Sequence, residues 1–151
     1  SKSAALAVTM LDWKVYGQDY AKEMAQCAKA LASALHEAGA PVFGASNGFT
    51  HSHQLALDAT SCGGGQALAK LLRRANVLSC GIGLPLPPVK GDVNGLRIGT
   101  PEIVRWGMRE ADMPELAGLL ARVIVKGEQP ETVAEDVTAF RRRFGTLTFI
   151  R

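Results

Sequence analysis

The sequence predicts an α/β (α+β) fold: a small domain in which an antiparallel sheet carries helices on one face, preceded by a long helix. Three observations lead there. Short strand-like runs bounded by glycine and proline alternate with helical patterns, which favours a mixed layer over a bundle or a sandwich. Between Gln18 and Ala38, the residues Met24, Cys27, Ala28, Leu31 and Leu35 recur at three- and four-residue spacing, one apolar face of a long amphipathic helix. The chain has 151 residues, 47% hydrophobic and 21% charged, which suits one ordinary domain with a buried core.

Taken in order, residues 3–15 read as a helix that Gly17 interrupts or bends, and the second helical pattern stops at Gly39. Pro41 begins an extended stretch through Val42, Phe43 and Gly44. His53 to Ala59 reads as a strand. Gly63-Gly64-Gly65 reads as a flexible turn before a helix from about Gln66 to Asn76, with Leu68, Leu71, Leu72 and Ala75 inward. Val77 to Cys80 is a short apolar strand, and Gly81 to Gly91 a Gly- and Pro-rich loop. Leu96-Arg97-Ile98 alternates as a strand. Thr100 and Pro101 then form a helix start, Thr as N-cap and Pro at the first helical position. Met113, Leu116, Ala117, Leu120, Val123 and Ile124 mark the next helix. Val133, Val137, Phe140 and Phe144 mark the last, which Pro130 opens.

Residues 1–16 carry Trp13, Tyr16 and an almost wholly apolar start, so this helix needs a further surface to lie on. We expect residues 1–16 to belong to a separate large domain and 17–151 to form the small one. The chain opens directly on a helical pattern, as a piece of a longer protein does. It lacks the basic-then-apolar order of a secretory signal and any apolar run long enough for a membrane span. A net charge of +3 is too mild to argue for nucleic acid. The run Arg141-Arg142-Arg143 reads as a solvated helix face anchored by Phe140 and Phe144. Three cysteines, Cys27, Cys62 and Cys80, without a pairing motif fit a reducing, cytoplasmic setting. Cys27 and Cys80 read as packing residues. Cys62, beside three glycines at a helix start, reads as unreactive as well.

Arg97 is the first candidate for chemistry. Leu96 and Ile98 point to the opposite sheet face, leaving Arg97 alone on its own. A guanidinium beside a helix start suits a carboxylate, through two parallel hydrogen bonds and the positive helix end. Pairing with Asp58 or Glu102 is an equal alternative. His51 and His53 share a strand face, but His36 is the only other histidine and no metal set forms, so His53 is expected to be hydrogen-bonded at the strand start. The glycine triplet lacks the lysine of a phosphate loop. Ser46, Ser52 and Ser79 have no nucleophile elbow. Glu110 and Asp112 are explained as helix caps.

The segment Gly95-Leu96-Arg97-Ile98-Gly99-Thr100-Pro101-Glu102-Ile103-Val104-Arg105-Trp106-Gly107-Met108 resembles the signature near the C-terminus of the serine hydroxymethyltransferase family. Glu102, Arg105 and Gly107-Met108 bring it closer to the archaeal-type and transaldolase-like branches. Thr50 to Asp58 resembles the family's Thr-x-x-His-x-x-x-x-Asp strand, and the helix from Tyr20 to Leu35 is similar in apolar layout to a family segment. The matches lie in family order and span nearly the whole chain.

The resemblance implies the small C-terminal domain of a fold type I pyridoxal-phosphate enzyme, a homodimer with shared active sites. It makes or breaks the Cα–Cβ bond of β-hydroxy amino acids such as serine, glycine's hydroxymethyl adduct. It implies Arg97 as the ligand of the substrate carboxylate, with His53 and Thr100 supporting. Two departures matter. None of Lys2, Lys14, Lys22, Lys29, Lys70, Lys90 or Lys126 stands in the Thr-rich context of the cofactor lysine. No catalytic residue is therefore expected in this chain, cofactor-binding residues are expected upstream, and the chain alone should be inactive. Ile82 stands where the family places a folate-contacting Asn, and an apolar side chain cannot hydrogen-bond a pterin. That weighs against tetrahydrofolate and toward a threonine aldolase or transaldolase type of reaction. A non-catalytic carboxylate-binding or dimerisation module, without membrane or nucleic-acid partners, is the other class the residues allow.

Overall fold

A computed structural model describes residues 2–151. Helix α1 runs unbroken from Lys2 to Glu37. Gly17 does not interrupt it, because its missing side chain serves packing. A Cβ there would lie 2.7 Å from the ring of Trp13, one turn back, so the indole occupies the space the glycine leaves. Beyond Gly17 the helix buries the predicted stripe, Met24, Cys27, Ala28, Leu31 and Leu35. Before it, the large apolar residues stay in solvent, with Leu6, Val8 and Met10 each near 60% exposed.

The sheet has three antiparallel strands, β1 (Gln54–Asp58), β2 (Cys80–Ile82) and β3 (Gly95–Gly99), in the order β1-β3-β2. The central strand sets Arg97 opposite Ala56 on one side and Cys80 on the other. Val42 adds a single bridge to Leu57, which is all the sheet structure the extended stretch after Pro41 makes. Strand alternation sends Leu55, Leu57, Leu96 and Ile98 to one face. There they join Leu31, Leu35, Leu68 and Leu72 in one core. Helices α2 (Gly65–Arg74), α4 (Met113–Ile124) and α5 (Pro130–Arg142) complete it, and the short α3 (Pro101–Arg105) leads out of β3.

Strand β2 lies later than its composition suggests. Val77 to Ser79 look like a strand, yet pairing starts at Cys80 and takes in Gly81 and Ile82, which the sequence assigns to a loop. The cause lies upstream. Asn76 closes α2 in a left-handed conformation, with φ of 62°, and its amide donates to Thr138 Oγ1 at 3.0 Å on α5. The chain needs the next three residues to travel from that anchor to the sheet. Gly63-Gly64-Gly65 is likewise no flexible turn. A Cβ on Gly65 would fall 1.8 Å from the carbonyl oxygen of Gly95, so the triplet lets α2 and β3 touch backbone to backbone.

Candidate functional site

The sheet face opposite the core carries Arg97. It is exposed, and no ion pair or side-chain hydrogen bond involves it among the described residues. Both alternative partners are engaged elsewhere. Asp58 Oδ1 accepts from the backbone and hydroxyl of Thr60 at 2.9 and 2.7 Å, and Glu102 accepts from the indole of Trp106 at 2.8 Å. Around Arg97 lies an open recess of about 410 Å³, bounded by His53, Gln54, Leu78, Ser79, Cys80, Gly99 and Pro101. Ser79 Oγ in this wall is buried without a hydrogen-bond partner among the described residues. Cys80, expected in the core, is half-buried on this same face. The shift of β2 along the chain turns it toward Arg97.

His53 lines the recess, and it is the backbone carbonyl, not the imidazole, that holds the strand start. That carbonyl accepts from Thr100 N and from Thr100 Oγ1, both at 3.0 Å. Thr100 itself is fully buried behind the recess. It occupies the N-cap position of α3, but its hydroxyl makes no cap bond. It donates instead to the carbonyls of His53 and Met24, the latter at 2.8 Å. One residue thus ties β1, the end of β3, α3 and the middle of α1 together. Tyr20 adds a second tie from α1, its hydroxyl donating to the Pro101 carbonyl at 2.8 Å. The lone arginine is mounted on a strand whose exit is bolted to the longest helix.

Two residues that hold the neighbourhood carry no motif. Asn94, nearly buried, accepts from Leu84 N at 2.7 Å and donates to the carbonyls of Leu84, Leu86 and Pro87, which shapes the Gly- and Pro-rich loop. Asp92 accepts from Gln66 N and Ala67 N at 3.1 and 2.9 Å and so fills the N-terminus of α2. These backbone donors, Ala67 foremost, hold its carboxyl below the ordinary range. The helix N-terminus behind the glycine triplet is therefore taken by the protein's own carboxylate. No local pattern signals either role, since Asn94 answers loop carbonyls and Asp92 lies 26 residues after the helix start it fills.

The other candidates behave simply. No group of three or more potential ligands converges on a metal among the described residues, and the ring of His36 packs on Phe49. Cys27 is inert: burial, with Glu23 beside it, pushes its thiol up to about 12. Asp112 Oδ2 accepts from Arg109 N at 2.8 Å, the expected cap. In the basic run, Arg141 stacks 4.7 Å over Trp106 and Arg143 forms a two-point pair with Glu115. All seven lysines are exposed, and none borders the recess. No helix of the described residues is long and apolar enough to cross a membrane.

No family model matches the sequence. Among known proteins, the chain is 58% identical over its 151 residues to an α-methylserine aldolase of a Ralstonia species, of which it covers 34%. It is 39% identical over 142 residues to a serine hydroxymethyltransferase of Aeropyrum pernix, covering 93% of this chain and 32% of that one. The crystal structure of an L-threonine transaldolase from Pseudomonas fluorescens, in its internal aldimine state, superposes with a TM-score of 0.83 at 32% identity. That match covers 95% of this chain and 32% of the other. The chain thus spans about a third of the length of the relatives it matches. Sequence signature, relatives and fold agree, and the chain is a C-terminal portion of the serine hydroxymethyltransferase family.

Proposed function

We propose that this chain supplies the substrate-carboxylate site of an enzyme that cleaves or forms the Cα–Cβ bond of β-hydroxy amino acids. The observation that carries the proposal is Arg97: a guanidinium without a partner, on an open sheet face, above a recess with room for a small amino acid. A carboxylate seated on its two parallel N–H groups is fixed in direction as well as place. Orienting the substrate in this way sets which bond at Cα can break. Alanine in place of Arg97 in the full-length enzyme raises the amino acid's KM strongly. An unchanged KM sinks the assignment.

Pyridoxal phosphate, the cofactor the family implies, does not find a holder among the described residues. No lysine reaches the recess, and the N-terminus of α2 is filled by Asp92. We assign its binding to parts of the enzyme outside this chain, and these residues to the substrate alone. The apolar segment of α1 supports the same division. Leu6, Met10, Trp13 and Val15 are each more than 40% exposed, and residues 1–16 in our reading pack on a larger domain, with 17–151 as the small one.

Within this class, folate-independent aldol cleavage is favoured, releasing Cβ as an aldehyde without a one-carbon acceptor. Identity to the aldolase, 58%, exceeds that to the hydroxymethyltransferase, 39%, and the apolar Ile82 offers a pterin no hydrogen bond. The substrate class would then include α-methylserine. Aldehyde release from that amino acid without added tetrahydrofolate tests this. A strict requirement for folate overturns it. We place the whole enzyme in the cytoplasm as a homodimer, consistent with three free cysteines. Light scattering on the full-length enzyme reads the second point.

A further inference from the structure

After α5 the chain does not stop at the helix end. Residues 145–151 cross the flank of α3 and reach α1. Thr148 N donates to the Arg105 carbonyl at 2.8 Å, and Thr148 Oγ1 to that of Val104 at 2.9 Å. Arg105 answers by donating to the Phe149 carbonyl at 3.1 Å. The ring of Phe149 stacks on Tyr20, centroids 5.1 Å apart, and Arg109 covers it at 5.2 Å. Arg151 N donates to the nearly buried Asp12 at 3.2 Å.

Phe149 holds a left-handed backbone, with φ of 60°, which a bulky residue adopts only when its surroundings compel it. What compels it is the stack on Tyr20 and the bonds to Arg105. Tyr20 is in turn the residue whose hydroxyl holds the Pro101 carbonyl, and Pro101 is part of the wall of the Arg97 recess. The path from the strap to the recess therefore has two links, Phe149 to Tyr20 and Tyr20 to Pro101. Arg105 braces the first, its guanidinium 4.8 Å over the same tyrosine ring.

We infer that residues 145–151 form a strap that positions the Arg97 recess, with Phe149 and Tyr20 as positioning residues for the substrate carboxylate. This rests on the role of Arg97 proposed above. Neither residue touches the substrate. Phe149 fixes the Tyr20 ring, and Tyr20 fixes the wall from which Arg97 is presented. Because an arginine–carboxylate pair depends on the alignment of both N–H groups, a small shift of the wall weakens binding without altering the reacting bond.

The test uses the full-length enzyme. Phe149→Gly removes the ring and keeps a residue suited to the left-handed backbone, so the strap's course is retained. Tyr20→Phe removes only the hydroxyl. Each should raise KM for the amino acid about three- to tenfold while kcat stays within about twofold, and Phe149→Tyr should restore KM. A fall in melting temperature with KM unmoved in both variants overturns the strap, as does an equal loss carried wholly by kcat. Arg97→Ala, measured alongside, separates the two proposals. If it raises KM and the strap variants do not, the strap alone fails. If it leaves KM unmoved, the site assignment fails and the strap with it.

Discussion

Thr100 is a small residue that joins distant parts of the chain. Its hydroxyl is buried and meets two carbonyls from distant parts of the chain, Met24 and His53. Valine has nearly its shape and no hydroxyl. Thr100→Val should therefore cost about 1–2 kcal/mol, the penalty for weakening buried polar pairing, and Thr100→Ser much less. Urea denaturation reads this as a lower midpoint at an unchanged slope. Asp92 adds a pH dependence. Its folded carboxyl is held low by the backbone N–H groups of Ala67, Gln66 and Val93. The stabilisation it gives is thus complete above the ordinary aspartate pKa, about 3.9, and is lost as pH falls through the lowered folded value. The stability difference between wild type and Asp92→Asn should be constant from neutral pH down to the carboxylate range and then shrink. A difference that grows on acidification contradicts the cap.

At the scale of elements, periodicity was a good guide wherever one face is buried along its whole length. The stripe from Met24 to Leu35, the strand Leu96-Arg97-Ile98 and the faces of α4 and α5 all follow it. The same alternation placed Arg97 on the open face. Periodicity failed where a long-range contact decides. Gly17 has the look of a break, yet a ring one turn away fills its space. Val77 to Ser79 have strand composition, yet Asn76 is pinned to α5 and the strand starts later. The glycine triplet looked loose because nothing local reveals that Gly95 presses against it. The strap was invisible for the same reason. Thr148 and Phe149 have no repeat, and their partners, from Tyr20 to Arg109, lie far back along the chain.

At the scale of the whole molecule, the proposed carboxylate site lies on this chain, and no lysine borders it. The 151-residue chain mixed with pyridoxal phosphate should accordingly show no imine absorbance that survives desalting, since no lysine borders the recess. A retained band would mean that one of the surface lysines is recruited and that the cofactor assignment is wrong. The chain spans about a third of the length of the relatives it matches, and the apolar first half of α1 lies exposed.

That helix has a mechanical consequence. Thirty-six residues at about 1.5 Å each make a rod of about 54 Å. Its bolts to Thr100 and Pro101, at Met24 and Tyr20, lie near the midpoint. From Met24 onward the rod is clamped in the core, so its first half is a lever arm with its fulcrum near the arginine's mounting. A tilt of about 5° swings the Leu6 end by about 2 Å, while the fulcrum scarcely moves. Arg97 is thereby mounted near the point least disturbed by a shift of the far end.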